Sequence, residues 1–142
     1  MEINYDKTKL AAIAKKYHLK FVILHGSYAS GFPDKESDLD IAALAEKPLD
    51  FKTELSAYGE LEDAFELPPS KELDFRTLNR VDPFFHYEVV KTGRLLYGNE
   101  IAYEEYKAFA ERAYFEDAKP LLELEKQLAY KFQRYLNTAY VK

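Results

Sequence analysis

The stretch that decides the fold reads LHGSYASGFPDKESDLDIAAL, from Leu24 to Leu44. An apolar run ends at Gly26-Ser27, ten residues intervene, and a second apolar run opens with Asp38-Leu39-Asp40. Phe21 to His25 (FVILH) and Leu39 to Leu44 (LDIAAL) are short apolar runs bounded by turn residues, and both read as strands. In a strand, residues two apart share a face, so Asp38 and Asp40 point one way while Leu39 and Ile41 point into a core. Two carboxylates side by side repel unless one is protonated or a cation lies between them. Hard divalent cations, Mg²⁺ above all, suit oxygen ligands of this kind.

Gly26-Ser27 breaks the first strand where a short helix is expected to begin. Backbone N–H groups at a helix start bind phosphate, and glycine lets the phosphate approach closely. One strand end can thus hold a triphosphate while its neighbour holds the metal that neutralises it. A third acid completes a metal site for phosphoryl or nucleotidyl transfer, in which metals steady the attacking and leaving oxygens of an in-line displacement. The candidate is Asp74, central in the alternating stretch KELDFRTL. Arg76 shares its face and is suited to meet a phosphate.

The surrounding pattern predicts helix, strand, short helix, strand, helix, strand, helix, strand. Lys7 to Tyr17 has helical spacing at Leu10, Ile13, Ala14 and Tyr17. Asp50 is placed to cap a helix with apolar positions Phe51, Leu55, Tyr58, Leu61 and Phe65, stopped by Pro68-Pro69. Asp82-Pro83 reads as a cap and first-turn proline of a helix that Gly93 closes, and RLLYG as a fourth strand. The expected fold is α/β (α+β), a small mixed β-sheet of about four strands with packed helices. The expected division is a domain over 1–98 followed by C-terminal helices over 99–142, interrupted by Pro120. Beyond Pro120, Leu121, Leu124, Leu128, Phe132, Tyr135 and Ala139 form an apolar stripe. The protein's own domain is its expected cover, and a partner protein the alternative. His25, next to Gly26, is expected to make a structural hydrogen bond, with orienting the site as the alternative, and His18 and His86 are expected to be surface or packing residues.

At 142 residues the chain is one ordinary domain by length, 47% hydrophobic and 32% charged, as soluble proteins are. It contains no apolar run of the roughly 20 residues a membrane span needs, and its start lacks a signal peptide's pattern. With no cysteine, disulfides and thiolate metal sites are excluded, and a cytoplasmic location is the default. A net charge of −5 speaks against a broad grip on nucleic acid.

HGSYASGFPDKESDLDIA, followed by LDFRTLNRVDPFFHYEVVKTGRLLYG, resembles the DNA polymerase beta-type nucleotidyltransferases. More narrowly it is similar to the minimal nucleotidyltransferase (MNT) antitoxins of HEPN–MNT toxin–antitoxin pairs. The resemblance runs from about Leu10 to Gly98 and more loosely through the C-terminal helices. It implies Gly26 and Ser27 as the triphosphate contact, Asp38 and Asp40 as ligands of catalytic Mg²⁺, and Asp74 as the third carboxylate, near the attacking hydroxyl. The implied activity is transfer of AMP from ATP to a tyrosine hydroxyl of a HEPN ribonuclease, silencing that toxin. Ser30 stands where relatives often have arginine. Two rival readings keep parts of this picture: an inactive relative that neutralises the toxin by binding, and a small-molecule (aminoglycoside-type) nucleotidyltransferase. Homo- and hetero-oligomers are both compatible with the sequence.

Overall fold

Asp6 starts the first helix, its carboxylate accepting from the N–H groups of Thr8 and Lys9 ahead of α1 (Lys7–Lys16). The computed structural model describes residues 3–33, 38–79 and 82–140. After α1, His18 takes a left-handed backbone (φ 55) and turns the chain into β1 (Leu19–His25). A short helix, α2 (Gly26–Ser30), follows directly. β2 (Leu39–Ala45) leads to α3 (Phe51–Ala64), where Asp50 accepts from the Thr53 N–H at 2.7 Å. β3 (Leu73–Thr77), α4 (Pro83–Thr92) capped by Asp82, and β4 (Arg94–Tyr97) complete the expected order. Two further helices, α5 (Glu100–Arg112) and α6 (Lys119–Tyr140), are joined by a π-helical segment, Ala113–Ala118.

The four strands form one mixed sheet in the order β3-β2-β1-β4. β1 runs antiparallel to both β2 and β4, while β2 and β3 are parallel, as a strand–helix–strand crossover through α3 requires. Alternation along the strands separates two cores. Val22, Leu24, Leu39, Ile41, Ala43 and Leu73 pack with α1 and α3 on one face. Phe21, Ile23 and Ala42 pack with Val89 of α4 and Tyr103 of α5 on the other. At the far end of β2, the Asn79 side chain pairs with both backbone groups of Ala45 (2.7 and 2.9 Å), extending the parallel ladder.

Four expectations need correction. In α3 the buried positions are Ala57, Leu61 and Ala64, with Phe65 just beyond, whereas Phe51 and Leu55 are 80% and 59% exposed. The small alanines allow close packing at the inner end of the helix. Its first turns instead pass over the edge strand, where Phe51, Leu55 and Tyr58 border a shallow cavity with Phe75. The same helix ends at Ala64, short of Pro68-Pro69, because Phe65 turns extended and bridges to Tyr5. Pro120 does not interrupt the C-terminal helix. A proline clashes with the carbonyl four residues back, and the π-helical segment absorbs this: the Lys119 N–H bonds the Tyr114 carbonyl, five residues back, and helix continues. Finally, the chain's own domain does not cover the stripe on α6: Leu121, Leu124, Leu128, Phe132 and Tyr135 are 50–65% exposed. α6 runs on from the π-helical segment as one continuous helix. Its first turn approaches α4, where Leu121 and Leu122 line a cavity with Pro83 and Phe84.

Candidate active site

Sheet register builds the site. His25 of β1 lies opposite Asp40 of β2, and Asp40 lies beside Asp74 of β3. Neighbouring strands are about 4.8 Å apart, so one rank crosses three strands as imidazole, carboxylate, carboxylate. These residues share the sheet face on which α4 and α5 bury Phe21, Ile23 and Ala42. The rank lies beyond that apolar cover, which leaves Asp40 half-buried and Asp74 and Asp38 exposed. The result is an open, charged shelf. A cavity of about 580 Å³ lies elsewhere, at the start of β1, with Lys20, Glu46, Tyr97 and Gly98 among its lining, and holds none of these groups.

Charge crowding marks Asp40. Burial first, then the negative charges of Asp74 and Asp38, push its carboxyl from 3.8 up to about 6, with Arg76 pulling it back. Asp40 is also near enough to Asp74 to share a hydrogen bond. Burial lowers the pKa of His25, while Asp74 raises it and Arg76 lowers it further. The structural hydrogen bond expected of His25 gives way to a ring contact, an edge-on packing against Phe85 with centroids 5.8 Å apart. His86 is a packing residue, meeting the Tyr106 hydroxyl, and His18 is exposed.

The turn after β1 is pressed against the carboxylates. Gly26 has φ 73, and a Cβ there would fall 2.2 Å from Oδ2 of Asp40. Glycine is therefore required twice, by backbone conformation and by space. Ser27 follows in the first turn of α2, and Ser30 is engaged locally, its hydroxyl donating to the Ser27 carbonyl at 3.1 Å. Residues 34–37 of the intervening loop lie outside the described residues.

Arg76 projects from the edge strand on the same face as Asp74. Its Nε lies 3.8 Å from Oδ1 of Asp74, and its guanidinium sits 5.1 Å from the Phe85 ring centroid. The structure thus brings Asp38, Asp40, Asp74, Gly26 and Arg76 to one end of the sheet. Of two further members of the constellation, sequence reasoning weighed His25 as the lesser of two readings and missed Phe85. His25 was visible as the residue before Gly26, but only register places it opposite Asp40. Phe85 follows the legible Asp82-Pro83 helix start, yet nothing in sequence says that its ring meets β1 and β3.

Among the described residues, no three acidic or histidine side chains already converge as a closed metal cage. Mg²⁺ does not need one: it keeps several waters and binds through one or two carboxylates plus substrate phosphates. An open set of aspartates in which burial and mutual repulsion raise the Asp40 pKa has donor chemistry that fits such an ion.

Residues 8–102 match the family model described as polymerase beta, nucleotidyltransferase. No curated protein matches the chain. Among solved structures it is similar to a chain from a toxin–antitoxin with AMP-PNP, at 23% identity and a TM-score of 0.67, covering 91% of this chain and 98% of that one. A chain from the tri-AMPylated Shewanella oneidensis HEPN toxin in complex with MNT antitoxin is 22% identical, with a TM-score of 0.62 and coverage of 90% and 95%. These likenesses establish a shared fold. The family match itself spans more than half of the sequence, and the chain belongs to the polymerase beta nucleotidyltransferase family.

Proposed function

We propose that the protein is an antitoxin that transfers AMP from ATP to a tyrosine hydroxyl of a HEPN ribonuclease. The observation that carries this reading is the packing of Gly26 against Asp40, itself beside Asp74, at one open sheet end. Support for the acceptor comes from the likeness in fold to chains from a toxin–antitoxin with AMP-PNP and from a tri-AMPylated HEPN toxin in complex with MNT antitoxin.

In this reading Asp38, Asp40 and Asp74 would hold Mg²⁺, which would supply neutralisation of charge on the phosphates and on the reacting oxygens. The N–H groups of the Gly26-Ser27 turn receive the triphosphate, and no Cβ stands between that turn and Asp40. Arg76 meets a phosphate from the β3 side. The acceptor hydroxyl attacks the α-phosphorus directly: a new P–O bond to tyrosine forms, the bond to the bridging oxygen of the β-phosphate breaks, and pyrophosphate leaves. Asp74, exposed at the sheet edge, takes the hydroxyl proton.

The test is to incubate the protein with ATP, Mg²⁺ and the toxin encoded beside it, and to weigh the toxin. One or more AMP units of added mass are expected, and the double variant Asp38→Asn/Asp40→Asn should slow their addition by about a thousandfold or more, since several kcal/mol of transition-state stabilisation are at stake. Unchanged toxin mass with a protein that still binds ATP counts against transfer.

The exposed stripe on α6 favours a second reading, neutralisation by binding, with the stripe as the surface that covers the toxin. It predicts that the double aspartate variant still protects cells, whereas serine at Leu124, Leu128 and Phe132 of the stripe abolishes protection.

A further inference from the structure

Phe85 occupies an unusual junction. Its backbone N–H donates to the Asp82 carboxylate at 3.0 Å, so the helix cap pins it in the first turn of α4. Its ring receives the edge of His25 at an interplanar angle of 87°. The guanidinium of Arg76 lies over the same ring. On α4, the flanking Phe84 and Tyr87 are held against Tyr114 of the π-helical segment, the latter pair stacked at 4.0 Å and nearly parallel. Phe85 therefore sits on a helix held to the sheet through Val89 and to the π-helical segment through Tyr114.

Arg76 is placed differently. Its side chain is 59% exposed and projects from an edge strand, with long, rotatable reach. The Asp74 carboxylate competes for it, yet the separation of 3.8 Å exceeds the 2.7–2.9 Å of a formed charge-assisted hydrogen bond. A guanidinium over an aromatic face is attracted by the ring's quadrupole, and its planarity suits that stacking where an ammonium would not.

We propose that Phe85 is a positioning residue: its ring holds the Arg76 guanidinium above the shelf and off Asp74, so that Arg76 is set for an incoming phosphate and the Asp74 carboxylate is not locked in an ion pair. This inference rests on the nucleotidyl-transfer reading for its substrate, and it adds a residue that acts through Arg76.

The experiment is a double-mutant cycle on the full chain with Phe85→Leu, Arg76→Gln and both together, read by calorimetric binding of a non-hydrolysable ATP analogue and by KM for ATP in toxin modification. Phe85→Leu should weaken analogue binding and raise KM about three- to fivefold, the scale of an exposed cation–π contact, and should lower kcat by more than about twofold as the released guanidinium pairs with Asp74. Phe85→Tyr, which keeps the ring, should restore wild-type values. In the R76Q background, Phe85→Leu should add nothing, because its effect passes through the guanidinium. If Phe85→Leu melts early, Phe85→Met, which fills similar volume without a ring, replaces it in the cycle. Equal losses from the leucine or methionine change in both backgrounds, or no loss in either, overturn the inference. A wild-type protein that binds the analogue but modifies no toxin defeats the transfer reading alone, and the binding cycle still decides the role of Phe85.

Discussion

The Asp40 end of the sheet and the exposed helix α6 present opposite physical problems. At the first, a half-buried carboxylate lies among others of the same sign, its pKa pushed up to about 6. At the second, a row of leucines and aromatics stands half or more in solvent along 22 residues of helix. Neither cost is met within the described chain. Unpaired charge near a core is relieved by a cation, and a contiguous apolar stripe is relieved by a covering surface. The two regions also differ in rigidity of placement. The shelf is fixed by register across three strands and by a glycine in atomic contact with Asp40, whereas α6 is the continuation of the segment that precedes it, with its apolar stripe exposed. A sheet end can place reacting groups within tenths of an ångström; a projecting helix offers reach and area.

The sharpest way to break this contrast is at the glycine. Gly26→Ala forces a left-handed alanine, which costs about 1–2 kcal/mol, and thrusts a methyl into Oδ2 of Asp40. Transfer activity should fall by about a hundredfold or more with a lower melting temperature, since a small misplacement of a reacting group has that effect. An alanine variant with normal activity would show that the close approach is irrelevant to function.

The stripe is tested by the reverse expectation. Replacing Leu124, Leu128 and Phe132 by serine should leave the melting temperature of the isolated protein within about 2 °C, as exposed substitutions usually do. Affinity for the HEPN toxin, measured by calorimetry, should fall at least about tenfold. A large drop in melting temperature would instead place the stripe in the protein's own core.

The smallest effect sharpens the electrostatic half. The folded Asp40 carboxyl takes its proton near pH 6, the unfolded one near 3.8. Above pH 6 both states are ionised and the fold bears the full penalty, on the order of 1 kcal/mol once the group's partial exposure is allowed for. Without divalent cations, Asp40→Asn should therefore melt about 2–4 °C higher than wild type at pH 7.5. That gain should shrink as pH falls from 6 to 4 and vanish below, where wild type is neutral in both states. Melting curves across pH measure it, and a variant less stable at pH 7.5 would refute the penalty that burial and repulsion place on the ionised carboxylate.

Much of this was legible beforehand because it is local. Asp50 and Asp82, both read as caps, each begin a helix with a side-chain cap, and capping needs only neighbouring residues; Asp6 and Asn99 cap two more helices that the reading left without a named cap. Alternation at Leu39, Asp40 and Ile41 assigned the carboxylates to one face and the branched residues to the other, as the burial pattern has it. What failed was non-local. Helical spacing identified Phe51 and Leu55 as apolar but could not tell that α3 overhangs an edge strand. It likewise described the stripe on α6 without saying what faces it.

The sequence by itself determined the element order, the caps, the pairing of Asp38 with Asp40 on one strand face and the glycine at the turn, because periodicity and backbone preference act over a few residues. The tertiary structure alone decided that β3 lies parallel to β2 in the register that sets Asp74 beside Asp40, that His25 and Phe85 close the shelf beside Arg76, and that α6 stands uncovered. Those outcomes depend on which distant surfaces meet, and that is settled by the packing of two cores against one twisted sheet.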